Sequence, residues 1–163
     1  MTQIFLGLGS NVRPAHFLPL GLRELRAELG ALRLSPAYRG AAMGFDGEPF
    51  WNLVAGAQTA LPVGELQAVL RNIEFRHGRP ENAVRNSPRT LDIDILTYGD
   101  LTGTVEGVEL PRGEILYHAF VLRPLAELAP DELHPVTGES YAAIWDAFDQ
   151  ASQPLETVEL DLS

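Results

Sequence analysis

The chain has 163 residues, enough to bury one sizeable core and too few for two ordinary domains, so a single domain over 1–163 is expected. With 45% apolar and 21% charged residues, the composition is globular and excludes a disordered or fibrous chain, and a net charge of −10 argues against broad nucleic-acid binding. Zero cysteines exclude disulfides and thiolate chemistry, no apolar run reaches the roughly 20 residues of a membrane span, and Met1-Thr-Gln-Ile-Phe lacks a basic signal-peptide start, so a soluble cytoplasmic protein is expected.

In chain order, Gln3-Ile-Phe-Leu-Gly-Leu reads as a short buried strand ending at Gly9-Ser10-Asn11. Leu18, Leu22, Leu25 and Leu29 recur at helical spacing, which predicts an amphipathic helix over 14–29 stopped by Gly30. A second strand is predicted from Ala31 to Arg39, and residues 40–49, with three Gly and a Pro, read as a loop. Phe50 to Thr59 predicts a third strand. Pro62 opens a helix whose Leu66, Val69, Leu70 and Ile73 form one apolar stripe. From His77 to Pro88 the apolar period gives way to polar and basic residues, a long loop of the kind that carries function.

Thr90 to Tyr98 alternates with period two and is a strand, and weaker strand signals lie at 104–110. Pro124 reads as the start of a short helix through Ala129, and Tyr141, Ile144, Trp145 and Phe148 make a final amphipathic one. The order βαββαβ with C-terminal additions predicts an α+β sandwich with a ferredoxin-like sheet and helices packed on it.

Charge is divided unevenly along the chain. Residues 1–89 hold ten Arg against seven acids, or +3, while 90–163 hold two Arg against fifteen acids, or −13. Arg71, Arg76, Arg79, Arg85 and Arg89 fall within nineteen positions, and Asp92 and Asp94 follow at once. Arg makes forked hydrogen bonds to phosphate oxygens, so this concentration fits a polyphosphate site. On a strand, residues two apart share a face, so Asp92 and Asp94 put two carboxylates side by side while Ile93 and Ile95 face the core. Such a pair repels unless protonated or bound to a cation. A hard divalent cation that completes its shell with phosphate oxygens answers that repulsion; a solvated face paired with Arg is the plainer alternative. Gly7-Leu-Gly-Ser-Asn could offer backbone N–H groups to an anion or simply make a tight turn. Some nucleotidyltransferases also join a Gly-Ser turn to an Asp-x-Asp strand, but there the two lie close in sequence, whereas 82 positions separate Ser10 from Asp92.

Five segments occur in the order and spacing of one family: Phe5-Leu-Gly-Leu-Gly-Ser-Asn, Phe50-Trp-Asn-Leu-Val, Ile73-Glu-Phe-Arg-His-Gly-Arg, Pro88-Arg-Thr-Leu-Asp-Ile-Asp-Ile-Leu and Phe120-Val-Leu-Arg-Pro-Leu. Over roughly 2–145 the chain resembles 6-hydroxymethyl-7,8-dihydropterin pyrophosphokinases, and the Pro-Arg-Thr-Leu-Asp-x-Asp segment is the most specific part of the match. The resemblance implies transfer of pyrophosphate from ATP to the pterin hydroxymethyl oxygen, with release of AMP, in folate biosynthesis. It implies a catalytic set of Arg79, Arg89, Asp92 and Asp94, the two Asp holding two Mg²⁺ ions. Phe50 and Phe120 match the aromatic pair that stacks the pterin, Asn52 matches the amide that reads its edge, and Met43 falls in the pterin-side loop. Glu74, Arg71, Arg85, Arg112 and His118 form the expected ATP side. ATP and the pterin are the only partners expected, without nucleic acid or membrane, and the protein is expected to be a monomer.

Plainer roles compete. Phe50 and Phe120 could be core residues, Asn52 an ordinary strand residue, and Glu74 the i,i+3 partner of Arg71. The chain also departs from the family where ATP should lie. Arg112-Gly113 follows Pro111 where His-Tyr is usual, and His118 stands for an Arg. Glu81 and Asn86 stand for a frequent Arg and Trp, and Gly40-Ala41-Ala42 for Thr-Pro-Pro. Arg112 is expected to restore part of the missing cation. A diverged phosphotransferase and a catalytically silent pterin- or nucleotide-binding module remain the alternatives.

Overall fold

The structure is a computed structural model that describes residues 1–40, 48–78 and 90–161. Along the chain lie β1 (Thr2–Ser10), α1 (Pro14–Leu29), β2 (Arg33–Leu34), β3 (Ala37–Gly40), β4 (Phe50–Thr59) and α2 (Val63–Arg76). They are followed by β5 (Asp92–Tyr98), β6 (Gly103–Val105), β7 (Val108–Leu110), α3 (Ala119–Leu128), α4 (Tyr141–Ala147) and β8 (Glu156–Val158), with 3-10 turns at Gly113–Leu116 and Gln150–Ser152. The main sheet runs β5-β1-β4-β3-β8, antiparallel at each pairing, and β2 also pairs with β4. β6 and β7 form a separate hairpin.

Strand alternation sends side chains to two cores. Ile4, Leu6, Leu8, Leu53, Ala55, Ile93 and Ile95 pack beneath Leu18, Leu22 and Leu25 of α1 and Leu66, Leu70 and Ile73 of α2. Phe5, Val54 and Leu96 face the other way, against Leu122 and Leu125 of α3 and Tyr141 and Ile144 of α4. Ile93 and Ile95 thus face the core as the period-two pattern requires. The first helix has the bounds its leucine spacing predicts.

Three expectations about elements need correction. The strand predicted over 31–39 is two short strands, because Ser35-Pro36 interrupts the ladder: Pro36 has no N–H to donate, and the Ser35 hydroxyl accepts the Val54 N–H at 2.9 Å in place of a backbone carbonyl. The helix predicted to start at Pro124 begins five residues earlier, and Pro124 lies inside it. Its first N–H is satisfied from a distance, by the Gln153 side chain, whose Oε1 accepts the Ala119 N–H at 2.9 Å. β1 runs through Ser10, so Gly7 and Gly9 lie in ladders with β4 and β5 and do not form an anion-binding turn. The C-terminal strand β8, which extends the sheet beyond β3, has no counterpart among the predicted elements. Among the described residues, no helix is long and apolar enough to cross a membrane.

Candidate active site

The register of β1 builds the floor of the site. Gly9 opposes Asp92 on one side and Asn52 on the other, and Gly7 opposes Asp94 and Val54. All lie on the α3 side of the sheet, since Leu6 and Leu8 between them point to the first core. Between the Asp pair and Asn52, Gly7 and Gly9 therefore add no side chain of their own. A Cβ on Gly9 would lie 2.6 Å from Asn52 Oδ1, and one on Gly7 would lie 3.3 Å from Leu96. Asn52 is buried, and among the described residues its Nδ2 has no hydrogen-bond partner, an unusual state for a buried amide. Phe50, two residues earlier on β4, is half-buried on the same side.

Asp92 and Asp94 form a tight pair. Burial, and next the charge of Glu74, raise the Asp92 carboxyl above the ordinary carboxylate range. Burial and then Asp92 push Asp94 up to about 7. Two cations approach Asp94 without reaching hydrogen-bond distance: Arg71 Nη2 and Arg112 Nη2, each at 3.7 Å. Arg112 is held in place by Glu114 at 2.6 Å and by its own N–H, which donates to the Leu96 carbonyl at 2.8 Å. Arg71 donates to Glu74 Oε1 at 2.5 Å, as the i,i+3 alternative expected, while Glu74 Oε2 accepts the Ile93 N–H at 2.7 Å.

Phe120 lies on the first turn of α3 and packs at the margin of the second core. His118 stacks on it, with ring centroids 4.9 Å apart and planes 16° from parallel. The His118 Nδ1 is buried without a partner among the described residues, and its Nε2 lies 4.0 Å from Glu114. The structure thus brings together Phe50, Asn52, Arg71, Glu74, Asp92, Asp94, Arg112, His118 and Phe120 along one side and edge of the sheet. It takes Arg76 elsewhere, to Glu24 of α1 at 3.1 Å. Met43, Arg79, Glu81, Arg85, Asn86 and Arg89 lie outside the described residues.

Sequence reasoning missed the glycine floor and Glu114. The alternation of Gly7 and Gly9 with Leu6 and Leu8 was the available signal for the floor; no local signal marked Glu114. Among the described residues no three His, Asp or Glu side chains converge as a complete metal cage. The Asp pair nevertheless fits a hard divalent cation. Its donors are all oxygen, and burial together with neighbouring carboxylates raises both carboxyls, a repulsion that a bound cation would relieve.

Residues 5–130 match the family described as 7,8-dihydro-6-hydroxymethylpterin-pyrophosphokinase. Two bacterial proteins named 2-amino-4-hydroxy-6-hydroxymethyldihydropteridine pyrophosphokinase are similar over most of the chain. That of Aquifex aeolicus is 33% identical over 139 residues, covering 83% of this chain and 86% of its own. That of Pseudomonas aeruginosa is 35% identical over 133 residues, covering 79% and 82%. The folic acid synthesis protein fol1 of Pneumocystis carinii is 32% identical over 146 residues, which is 88% of this chain and 20% of that protein. Among solved structures, wild-type Plasmodium falciparum HPPK-DHPS aligns with a TM-score of 0.71 at 13% identity, over 90% of this chain and 43% of that one. The chain therefore spans a fifth of the Pneumocystis protein and less than half of the Plasmodium chain, and the structural likeness is one of fold.

Proposed function

Because the chain belongs to the 7,8-dihydro-6-hydroxymethylpterin-pyrophosphokinase family, we propose that it transfers pyrophosphate from ATP to the hydroxymethyl group of 6-hydroxymethyl-7,8-dihydropterin in folate synthesis. The pterin C–O–H oxygen attacks the β-phosphorus and loses its proton, the bond from that phosphorus to the α–β bridging oxygen breaks, and AMP departs. The observation that carries this reading is the row Asp92–Gly9–Asn52: an oxygen-donor pair and an amide whose Nδ2 has no partner among the described residues lie on either side of a glycine. Two Mg²⁺ ions, when bound, would neutralise phosphate charge and lower the cost of ionising the attacking hydroxyl.

Asp92 and Asp94 would hold these ions, and their fixed placement on β5 would orient the phosphate chain. Asn52 would spend its N–H₂ on an acceptor at the pterin edge, while Phe50 and the His118-backed Phe120 would bind its faces and exclude water. Arg112 would neutralise phosphate charge beside Asp94, and Arg79, Arg85 and Arg89 would contribute similarly from the basic segment. Met43 belongs to the pterin set of the same proposal. We also read β5-β1-β4-β3 with α1 and α2 as a ferredoxin-like unit whose second face is covered by C-terminal additions, and the protein as a cytoplasmic monomer.

The test is AMP release from ATP, Mg²⁺ and the hydroxymethyl-dihydropterin, with one AMP expected per pterin consumed and none after chelation. Binding of both substrates without AMP would leave the silent module as the better reading. Transfer to a different acceptor would favour the diverged phosphotransferase.

A further inference from the structure

Among the described residues β5 is the terminal strand of the main sheet, and one edge of its backbone has no neighbouring strand there. Ile93, the residue between the two Asp, nonetheless has both outward groups satisfied. Its N–H donates to Glu74 Oε2 at 2.7 Å, and its carbonyl accepts from Arg71 Nη1 at 3.5 Å. A carboxylate and a guanidinium, three residues apart on α2, thus supply the acceptor and donor that a further strand would provide. We propose that Arg71 and Glu74 are positioning residues that clamp the Ile93 backbone and thereby set the aim of the Asp92 and Asp94 carboxylates, instead of binding the nucleotide. The proposal rests on the reading of that pair as a divalent-cation site.

Commitment of atoms argues for the clamp. Glu74 is 0% exposed; one of its oxygens accepts from Arg71 at 2.5 Å and the other from the Ile93 N–H at 2.7 Å, so a ligand that took either oxygen would compete with a contact that holds the strand or its brace. Arg71 is tied to the same strand twice, through the Ile93 carbonyl and through its approach to Asp94 at 3.7 Å. A third buried carboxylate beside an Asp pair is electrostatically costly, and filling space there would be done better by an apolar side chain. What an apolar side chain cannot do is accept the Ile93 N–H. The arrangement also has leverage: a small rotation of β5 about its axis turns Asp92 and Asp94 together, and an ion site tolerates only about 0.5 Å of misplacement.

The test uses the whole chain without nucleotide, with Mn²⁺ as the probe. Free Mn²⁺ is followed by electron paramagnetic resonance, and exchange of the Ile93 amide by NMR. Glu74→Ala should weaken Mn²⁺ binding by about 10–100-fold, the usual cost of removing an outer partner of a metal ligand, and should speed Ile93 exchange. Glu74→Gln keeps an acceptor oxygen and should recover most of both. Leu25→Ala, in the core beneath α1, should lower the Tm while leaving Mn²⁺ affinity unchanged. If Glu74→Ala does not fold, Arg71→Ala carries the same expectation at about threefold, since only the weaker carbonyl bond is lost. Mn²⁺ affinity within twofold of wild type in these variants, or an equal loss in Leu25→Ala, would overturn the clamp. Wild-type protein that binds no Mn²⁺ would instead sink the cation-site reading, and the clamp with it. A protein that binds Mn²⁺ as described but releases no AMP would leave the clamp standing and remove only the proposed reaction.

Discussion

Asp94 has two guanidinium groups within 3.7 Å, yet burial and Asp92 still push its carboxyl up to about 7. The pair is thus built to be completed by a cation, and Asp92→Ala or Asp94→Ala should reduce transfer by about 100-fold or more, because a misplaced phosphate chain alone costs that much. Steady-state AMP release would measure it, and unchanged circular dichroism would show that the fold survives. The raised value also has a sign. An unfolded Asp titrates near about 3.9, so the folded state holds this proton more tightly, and that stabilisation is complete below about pH 4 and lost as pH rises through about 7. In chelator, Asp94→Asn should therefore match wild type in Tm at about pH 3.5 and exceed it by a margin that widens from about pH 4 to about pH 7. Gly9 offers a separate test, because an added Cβ would meet Asn52 Oδ1 at 2.6 Å. Gly9→Ala should cost about 1–3 kcal/mol of stability and weaken pterin binding in calorimetry more than nucleotide binding.

Elements start and stop here through partners that are remote in sequence. α2 has no side-chain cap at Pro62; instead Glu106, at φ 49° in the β6–β7 turn, accepts the Gly64 N–H at 2.7 Å. α3 is likewise capped by Gln153, which also donates to the Tyr117 carbonyl at 2.9 Å and so braces the turn that carries His118 and Phe120. Glu106→Ala and Gln153→Ala should each cost about 1 kcal/mol in denaturant unfolding, the usual worth of a cap. Only Gln153→Ala should also weaken pterin binding, since only that cap supports the Phe120 wall. The same remoteness explains the misplaced start at Pro124. A local reading finds Pro and takes it for a first helical residue, whereas the first N–H of α3, that of Ala119, is satisfied by a side chain 34 positions later.

Across the whole molecule, one sheet separates two cores, and only one of them lies under the site. Leu22, beneath α1, and Leu122, on α3, are both 0% exposed, so truncation to Ala should cost about 2–5 kcal/mol at either position. The variants should differ in function: Leu122→Ala should weaken pterin binding through Phe120 and His118, while Leu22→Ala should leave it near wild type at temperatures where both are folded. Much of this organisation was legible in the chain. Period 3.6 marked α1 and α2, period two marked β5 with its isoleucines inward and its aspartates outward, and the five ordered segments identified the family. Those signals are local: each depends on residues within one element, or on their order along the chain. Tertiary structure alone decided what lies across from what. It put Gly9 between Asp92 and Asn52, left the Asn52 Nδ2 without a partner among the described residues, brought Arg112 beside Asp94 and set Glu74 against the edge of β5. Strand register and helix docking are set by the joint burial of many side chains, so no spacing within a single segment encodes them.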